Sequence, residues 1–184
     1  MRDIHHIARA ALKRFRRDKK GVSAIEFALV LPVMITIYFG TNEISDMLMV
    51  DRKAATLAST AADLVAQDTE ITNSEIADVF AATEALIQPY PTGTVTIVIS
   101  SVVADANGVA KVAWSDGFNA GARAVNSTVT LPAGLIAPLE SVIMAETGYT
   151  YDSATAQFLT GSGYTLTDTF YLKPRRSLTV ARVP

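Results

Sequence analysis

Gly21 and Glu26 are the residues whose types and spacing point most directly to chemistry. Lys19 and Lys20 precede the glycine, Val22 follows it, and Glu26 is the single charge in the run VSAIEFALVLPVMITIYFG. If the chain is cut after Gly21, Val22 becomes a new amino terminus carrying a protonated amine. Glu26 would then offer a carboxylate at nearly the same depth to the amine of a neighbouring subunit. In a low dielectric such a pair is strong, and it fixes the axial register of packed helices. At the centre of a membrane helix a carboxylate costs roughly 2.5–3.5 kcal/mol on insertion scales. Glu26 lies only five residues past Gly21, near the boundary, where the cost is lower. The plainer alternative is that Glu26 reaches the lipid headgroups and contacts nothing.

Other chemistry finds little support. The chain has no cysteine, which excludes disulfides, thiolate metal sites and cysteine nucleophiles. Its two histidines, His5 and His6, both sit in the basic tip, so the body has none for a triad or a His-rich metal site. Residues 54–170 hold 12 Asp/Glu against Lys111 and Arg123, but the carboxylates are scattered singly and match no metal-loop spacing. No phosphate-binding glycine loop or nucleophile-elbow motif occurs. Lys53, Lys111 and Lys173 sit in no recognisable serine–lysine motif. Lys173, Arg175 and Arg176 form a small basic cluster, read as a solvated turn between the last two strands or as a contact for a neighbour's acidic surface. Three charges are too few for useful nucleic-acid affinity. Trp114 reads as a core or hairpin residue. The expectation is a protein that is not an enzyme, with no cofactor, no metal and no nucleic-acid partner.

The elements around Gly21 and Glu26 are set by charge and hydropathy. Of 184 residues, 49% are hydrophobic and only 18% charged, a lean toward a membrane-associated chain. Residues 1–20 carry eight Lys/Arg against Asp3 and Asp18, a net of +6, while residues 21–184 carry a net of −8. Within the tip, Ile4, Ile7, Ala8, Ala11, Leu12 and Phe15 fall on one helical stripe. Residues 22–40 follow, spanning about 28 Å as a helix against a hydrocarbon core of roughly 30 Å. Pro32 would kink a membrane helix without breaking it, and Tyr38 and Phe39 stand where an aromatic belt belongs. The basic tip places the amino terminus in the cytoplasm and the body across the membrane. A removable secretory signal is the competing reading. It fits less well, because the run is long and TNEISDMLM after it offers no small-x-small cleavage site.

The string Lys19-Lys20-Gly21-Val22-Ser23-Ala24-Ile25-Glu26-Phe27 resembles the class III signal recognised by a prepilin peptidase. With Ala28-Leu29-Val30-Leu31-Pro32 and Phe39-Gly40, it is similar to the TadE/TadG group of pseudopilin-like proteins of the tight-adherence (Flp, type IVc) pilus. The tail Thr169-Phe170-Tyr171-Leu172-Lys173-Pro174-Arg175-Arg176-Ser177 is also similar to tails of that group. The chain lacks room for the large inserted domain of longer members, so the TadE-like type fits better. The resemblance implies cleavage between Gly21 and Val22 and a membrane helix that packs among major-pilin and other pseudopilin helices. It implies Glu26 and Phe27 as subunit-contact residues, and work at the inner-membrane assembly platform with the head in the periplasm. Adhesion, biofilm formation and secretion are the associated processes. Two other classes remain: an uncleaved single-pass envelope protein whose periplasmic head binds a ligand or wall component, and a signal-anchored hydrolase.

The expected architecture is α+β, organised as a leader (1–21), a transmembrane helix (22–40), a periplasmic helical segment (41–90) and an antiparallel β-rich head (91–184). Residues 42–66 lack Pro and Gly and keep helical spacing at Ile44, Met47, Leu48, Ala54, Ala55, Ala58, Ala61, Ala62 and Val65. Thr72-Asn73-Ser74-Glu75 is a capping box before a second helix that Pro89 and Pro91 stop. Residues 94–103 and 109–115 read as a hairpin around Asp105-Ala106-Asn107-Gly108, with residues 117–123 as loop. Further strands are expected at 127–131, 141–151, 164–172 and 178–183, with a loop at 161–163. Helices first and strands after argue for an antiparallel sheet rather than βαβ units.

Overall fold

The apolar run and the alanine-rich stretch after it form one helix, α1 (Lys20–Ala66). The computed structural model describes residues 20–153, 157 and 163–184. Lys19, the stripe of the basic tip, the two histidines and Gly161-Ser162 lie outside the described residues. The chain divides into two compact units, with the boundary between Ile44 and Ser45. Pro32 stands inside α1. It has no N–H, so the carbonyl four residues back loses its donor.

In the second unit the core face of α1 is thin. Ala54, Ala58, Ala61, Ala62 and Ala66 are buried, with Val50, Leu57 and Val65 as the larger side chains among them. Small side chains let the helix approach the sheet closely, and the Ala54 carbonyl accepts a hydrogen bond from Thr147 Oγ1 at 3.2 Å. Leu48, which continues the same sequence spacing, is exposed.

A two-residue strand, β1 (Glu70–Ile71), leads into α2 (Asn73–Ala85). The capping box forms as its text requires: the Thr72 hydroxyl accepts from Glu75 N, and the Glu75 carboxylate accepts from Thr72 N at 2.7 Å. Ile76, Val79 and Phe80 bury the inner face of α2. Lys53 Nζ closes the chain just beyond it, donating to the carbonyls of Leu86 (2.9 Å) and Gln88 (2.7 Å).

Four long strands follow: β2 (Thr96–Ala104), β3 (Ala110–Phe118), β4 (Ser141–Tyr151) and β5 (Tyr164–Leu172). They form one antiparallel sheet in the order β3-β2-β4-β5. The architecture is therefore α+β: a long amino-terminal apolar helix, a second helix and a four-stranded antiparallel sheet. The β2–β3 turn is built by Asp105, whose Oδ1 accepts from Asn107 N and Val109 N, and by Gly108 at φ +80°. Only a residue tolerant of the left-handed region suits that position.

The two faces of the sheet have different covers. Ile97, Ile99, Trp114, Ile143, Ala145 and Tyr149 meet α1 and α2 in the main core. Val102, Ala110, Val112, Val142 and Met144 form a second cluster with Val129, Leu131, Leu135 and Ile136, which belong to the β3–β4 crossover. Trp114 is a core residue, and its Nε1 donates to the Val180 carbonyl at 2.7 Å.

Three local expectations are corrected. β3 runs on to Phe118, so the loop begins later than residue 117. Residues 127–131 contribute one isolated bridge, Lys111 to Thr128, in place of a strand: main-chain bonds hold the chain to β3 only as far as Val129, short of Pro132 and the turn after it. Residues 178–183 do not join the main sheet. They reduce to β6 (Ala181–Arg182), which pairs parallel with β1.

Candidate membrane and assembly segment

Lys20 and Gly21 open α1, and Val22, Glu26 and Phe27 follow in its first two turns. Val22 and Glu26 are four residues apart, so they share one face, about 6 Å apart along the axis. A Cβ built on Gly21 would meet no atom within 4 Å, so no packing demands a glycine there. Glu26 is exposed, and among the described residues it makes no hydrogen bond or ion pair.

The surface around it is apolar on every side. Each large apolar side chain from Val22 to Phe39 is at least 38% exposed, Leu31 least and Leu29 most at 71%. A helix on the surface of a soluble protein keeps a polar stripe, and this segment has none. Its best 18-residue window has a mean hydropathy of 2.0, and α1 is long and apolar enough to cross a membrane.

Polar side chains late in the span and just past it turn back on their own helix. Thr36 Oγ1 donates to the Pro32 carbonyl (2.9 Å), Thr41 Oγ1 to Ile37 (2.8 Å) and Asn42 Nδ2 to Tyr38 (2.8 Å). Such donors are satisfied without water, as a lipid environment requires. Tyr38 and Phe39 meet edge to face, ring centres 5.5 Å apart.

The head offers a second candidate, an open groove of about 450 Å³ whose lining includes Thr96, Val98, Arg123, Glu146, Gly148 and Thr167. Arg123 closes on Glu146 through two 2.6 Å bonds, Nε to Oε2 and Nη2 to Oε1. That bidentate pair engages Arg123 and Glu146 with each other; Asp168 also lines the groove, its Oδ1 accepting from Thr169 N. Among the described residues no three His, Cys, Asp or Glu side chains converge as metal ligands.

The tail cations are placed by tertiary contacts rather than by solvent alone. Lys173 Nζ meets Glu140 Oε2 at 2.6 Å, and Arg175 pairs with Asp63 while its N–H donates to the Ala66 carbonyl. Arg176 is exposed. Sequence reasoning missed Arg182, the most connected cation. Its guanidinium reaches Asp116, Asn73 Oδ1 and the carbonyls of Ile71 and Val183. No local motif announces it, because its partners lie 66 to 111 residues away apart from Val183.

Residues 21–63 match the family model described as TadE-like protein. The match takes in Gly21, Val22, Glu26, Phe27 and Pro32 together with most of α1, and none of the sheet. No curated protein and no solved structure matches the chain. The chain therefore carries a segment similar to TadE-like proteins and, among the described residues, one helix long and apolar enough to cross a membrane.

Proposed function

We propose that this protein is a minor pseudopilin-like component of tight-adherence pilus biogenesis. A prepilin peptidase removes residues 1–21 at the cytoplasmic face of the inner membrane. Residues 22–40 remain as a single membrane pass, and the head works in the periplasm, with passage into the extracellular filament as the end point. The protein initiates or assists filament assembly by packing its helix among those of the major pilin and other pseudopilins at the assembly platform. Its role is structural rather than enzymatic.

The observation that carries this reading is the stretch of α1 from residue 22 to 40, apolar and exposed all round, which follows Gly21 and holds one charge, Glu26, one turn past Val22. Lipid explains the apolar surface, whereas a carboxylate inside it calls for a cation. After cleavage the Val22 amine of a neighbouring subunit supplies that cation, and pairing the two sets how far one helix slides along the next.

Glu26→Ala tests it. The variant should be cleaved normally and keep a folded head, while co-purification of the major pilin falls about tenfold, the scale expected for an uncompensated charge at a membrane boundary. Normal piliation together with normal recovery of pilin would show that Glu26 holds no such contact. The uncleaved envelope protein is the second reading, and its head groove, with the Arg123–Glu146 pair in its lining, is what favours it. Retention of residues 1–21 would select it.

A further inference from the structure

The sheet stops at β5, and the two edges of the sheet are treated differently. At β3 the crossover covers the outer side: Val112 N donates to Ser127 O, Asn126 N to Val112 O and Val129 N to Ala110 O. At β5 nothing among the described residues does so. β5 pairs with β4 through nine residue pairs, from Ile143–Leu172 to Tyr151–Tyr164, and no strand among the described residues pairs with its other side. In an antiparallel ladder alternate residues turn their N–H and C=O outward, so about four residues of β5 face the edge, and of their N–H groups that of Thr169 is taken by Asp168 Oδ1 at 2.7 Å. Native sheets blunt such an edge with Lys, Pro, a bulge or a covering element. The strand YTLTDTFYL has one charge, Asp168, no Lys or Pro, and an unbroken register, so what guards the edge is a single carboxylate.

The surroundings say what would bind. Phe170, 40% exposed, borders a groove of about 320 Å³ shared with Ser59, Thr60, Asp63 and Leu64 of α1. Asp168 lies two residues earlier, on the same side of the pleat; its Oδ1 accepts from Thr169 N at 2.7 Å, and no described residue forms an ion pair with it. A second copy of β5 is a poor match. Twofold pairing centred on the strand sets Asp168 against itself, which is destabilising, and the strand has no cation to offer.

We propose that β5 accepts an extended segment of another protein as a fifth, antiparallel strand, with an apolar side chain opposite Phe170 and a lysine or arginine opposite Asp168. Main-chain bonds hold the segment, and the two side chains select it through an apolar-x-basic pattern. The inference rests on the head alone and stands apart from the pilus reading.

The probe is the labelled peptide TTVTKTVTT, titrated by fluorescence anisotropy into the full chain in detergent micelles. Saturable binding is expected, with protection of β5 amides from hydrogen exchange. TTVTETVTT should bind about 3- to 10-fold more weakly, the range of a reversed cross-strand charge pair. Asp168→Lys should invert that preference, and Asp168→Asn, which keeps the side chain's shape, should remove it. N-methylation of alternate residues on the edge facing β5 should abolish binding, because it deletes the main-chain donors. The proposal is overturned if TTVTKTVTT does not bind or if the N-methylated peptide binds equally, which would mean charge alone. It is overturned equally if the preference survives both substitutions, or if the chain dimerises through β5 and excludes the peptide.

Discussion

Arg182→Ala should loosen the head from its tail inward. The guanidinium makes five hydrogen bonds to four groups: Asp116 through Nε (2.8 Å) and Nη2 (3.3 Å), Val183 O (2.7 Å), Ile71 O (3.2 Å) and Asn73 Oδ1 (2.6 Å). Its side chain is 18% exposed and that of Asp116 28%. An exposed pair contributes at most about 1 kcal/mol, whereas breaking a buried one costs about 3–5 kcal/mol. This pair lies between those limits, and truncation also strands the Ile71 carbonyl, so about 2–3 kcal/mol is expected. Arg182→Lys keeps the charge but not the fork, and should lose about half of that. Trp114 makes the assay direct. It is the chain's one tryptophan, and its ring N–H is bonded to Val180, two residues before Arg182 at the start of the docked tail. Urea unfolding of the full chain in micelles, followed by tryptophan emission, should show the midpoint falling by about 1–2 M. A loss below about 0.5 kcal/mol with an unchanged native spectrum would refute the reasoning.

Gly117→Ala should destabilise the head by about 1–3 kcal/mol, since its Cβ would lie 2.2 Å from the Ala120 carbonyl oxygen and 3.1 Å from Ala122 N, both main-chain atoms. Gly148→Ala should cost less, because the atom it meets at 2.5 Å is the Thr96 hydroxyl, which can rotate away; thermal melts of the two variants settle the order. Thr72→Ala should remove the cap of α2 and cost about 1 kcal/mol, read as a lower urea midpoint. Acid should weaken the same head. Hydrogen bonds from Thr72, Val109 and Ala137 main-chain N–H groups hold Glu75, Asp105 and Glu140 below their ordinary values of 4.5, 3.8 and 4.5. Their contribution is therefore complete above those values and is lost as pH falls through the lower folded ones, so stability should be level near neutrality and decline below about pH 4.5. A Glu75→Gln variant should show a shallower decline.

The parts that could be read from the chain are those whose cause is local. Nineteen residues with one charge specify, by composition, a helix apolar enough to cross a membrane. Thr72 and Glu75 announce α2 because a capping box closes within four residues, and Asp105 and Gly108 announce the hairpin because both make the turn themselves. What escaped depends on residues far apart. β1 and β6 have two residues each, too short for any periodicity, and are held together where Arg182 lies beside Ile71 and donates to its carbonyl. The stretch 127–131 looks like a strand from Val129 and Leu131, yet those crossover side chains pack onto the sheet's second cluster, and the main chain makes one bridge to β3 in place of a ladder. The Lys173–Arg176 cluster reads as a solvated turn, but Glu140 and Asp63 reach Lys173 and Arg175 from other elements. At the membrane segment the spacing of Gly21, Val22 and Glu26 was legible in full, because a single helix carries all three. The bare edge of β5 was not, since a strand's place in its sheet is a property of the other strands.

The most direct test of the account is the amino terminus of the protein recovered from the membrane of cells that make the processing enzyme. Intact-mass spectrometry should find a chain beginning at Val22. A chain still carrying Met1 through Gly21 would contradict it, for Glu26 would then have no new amine to meet.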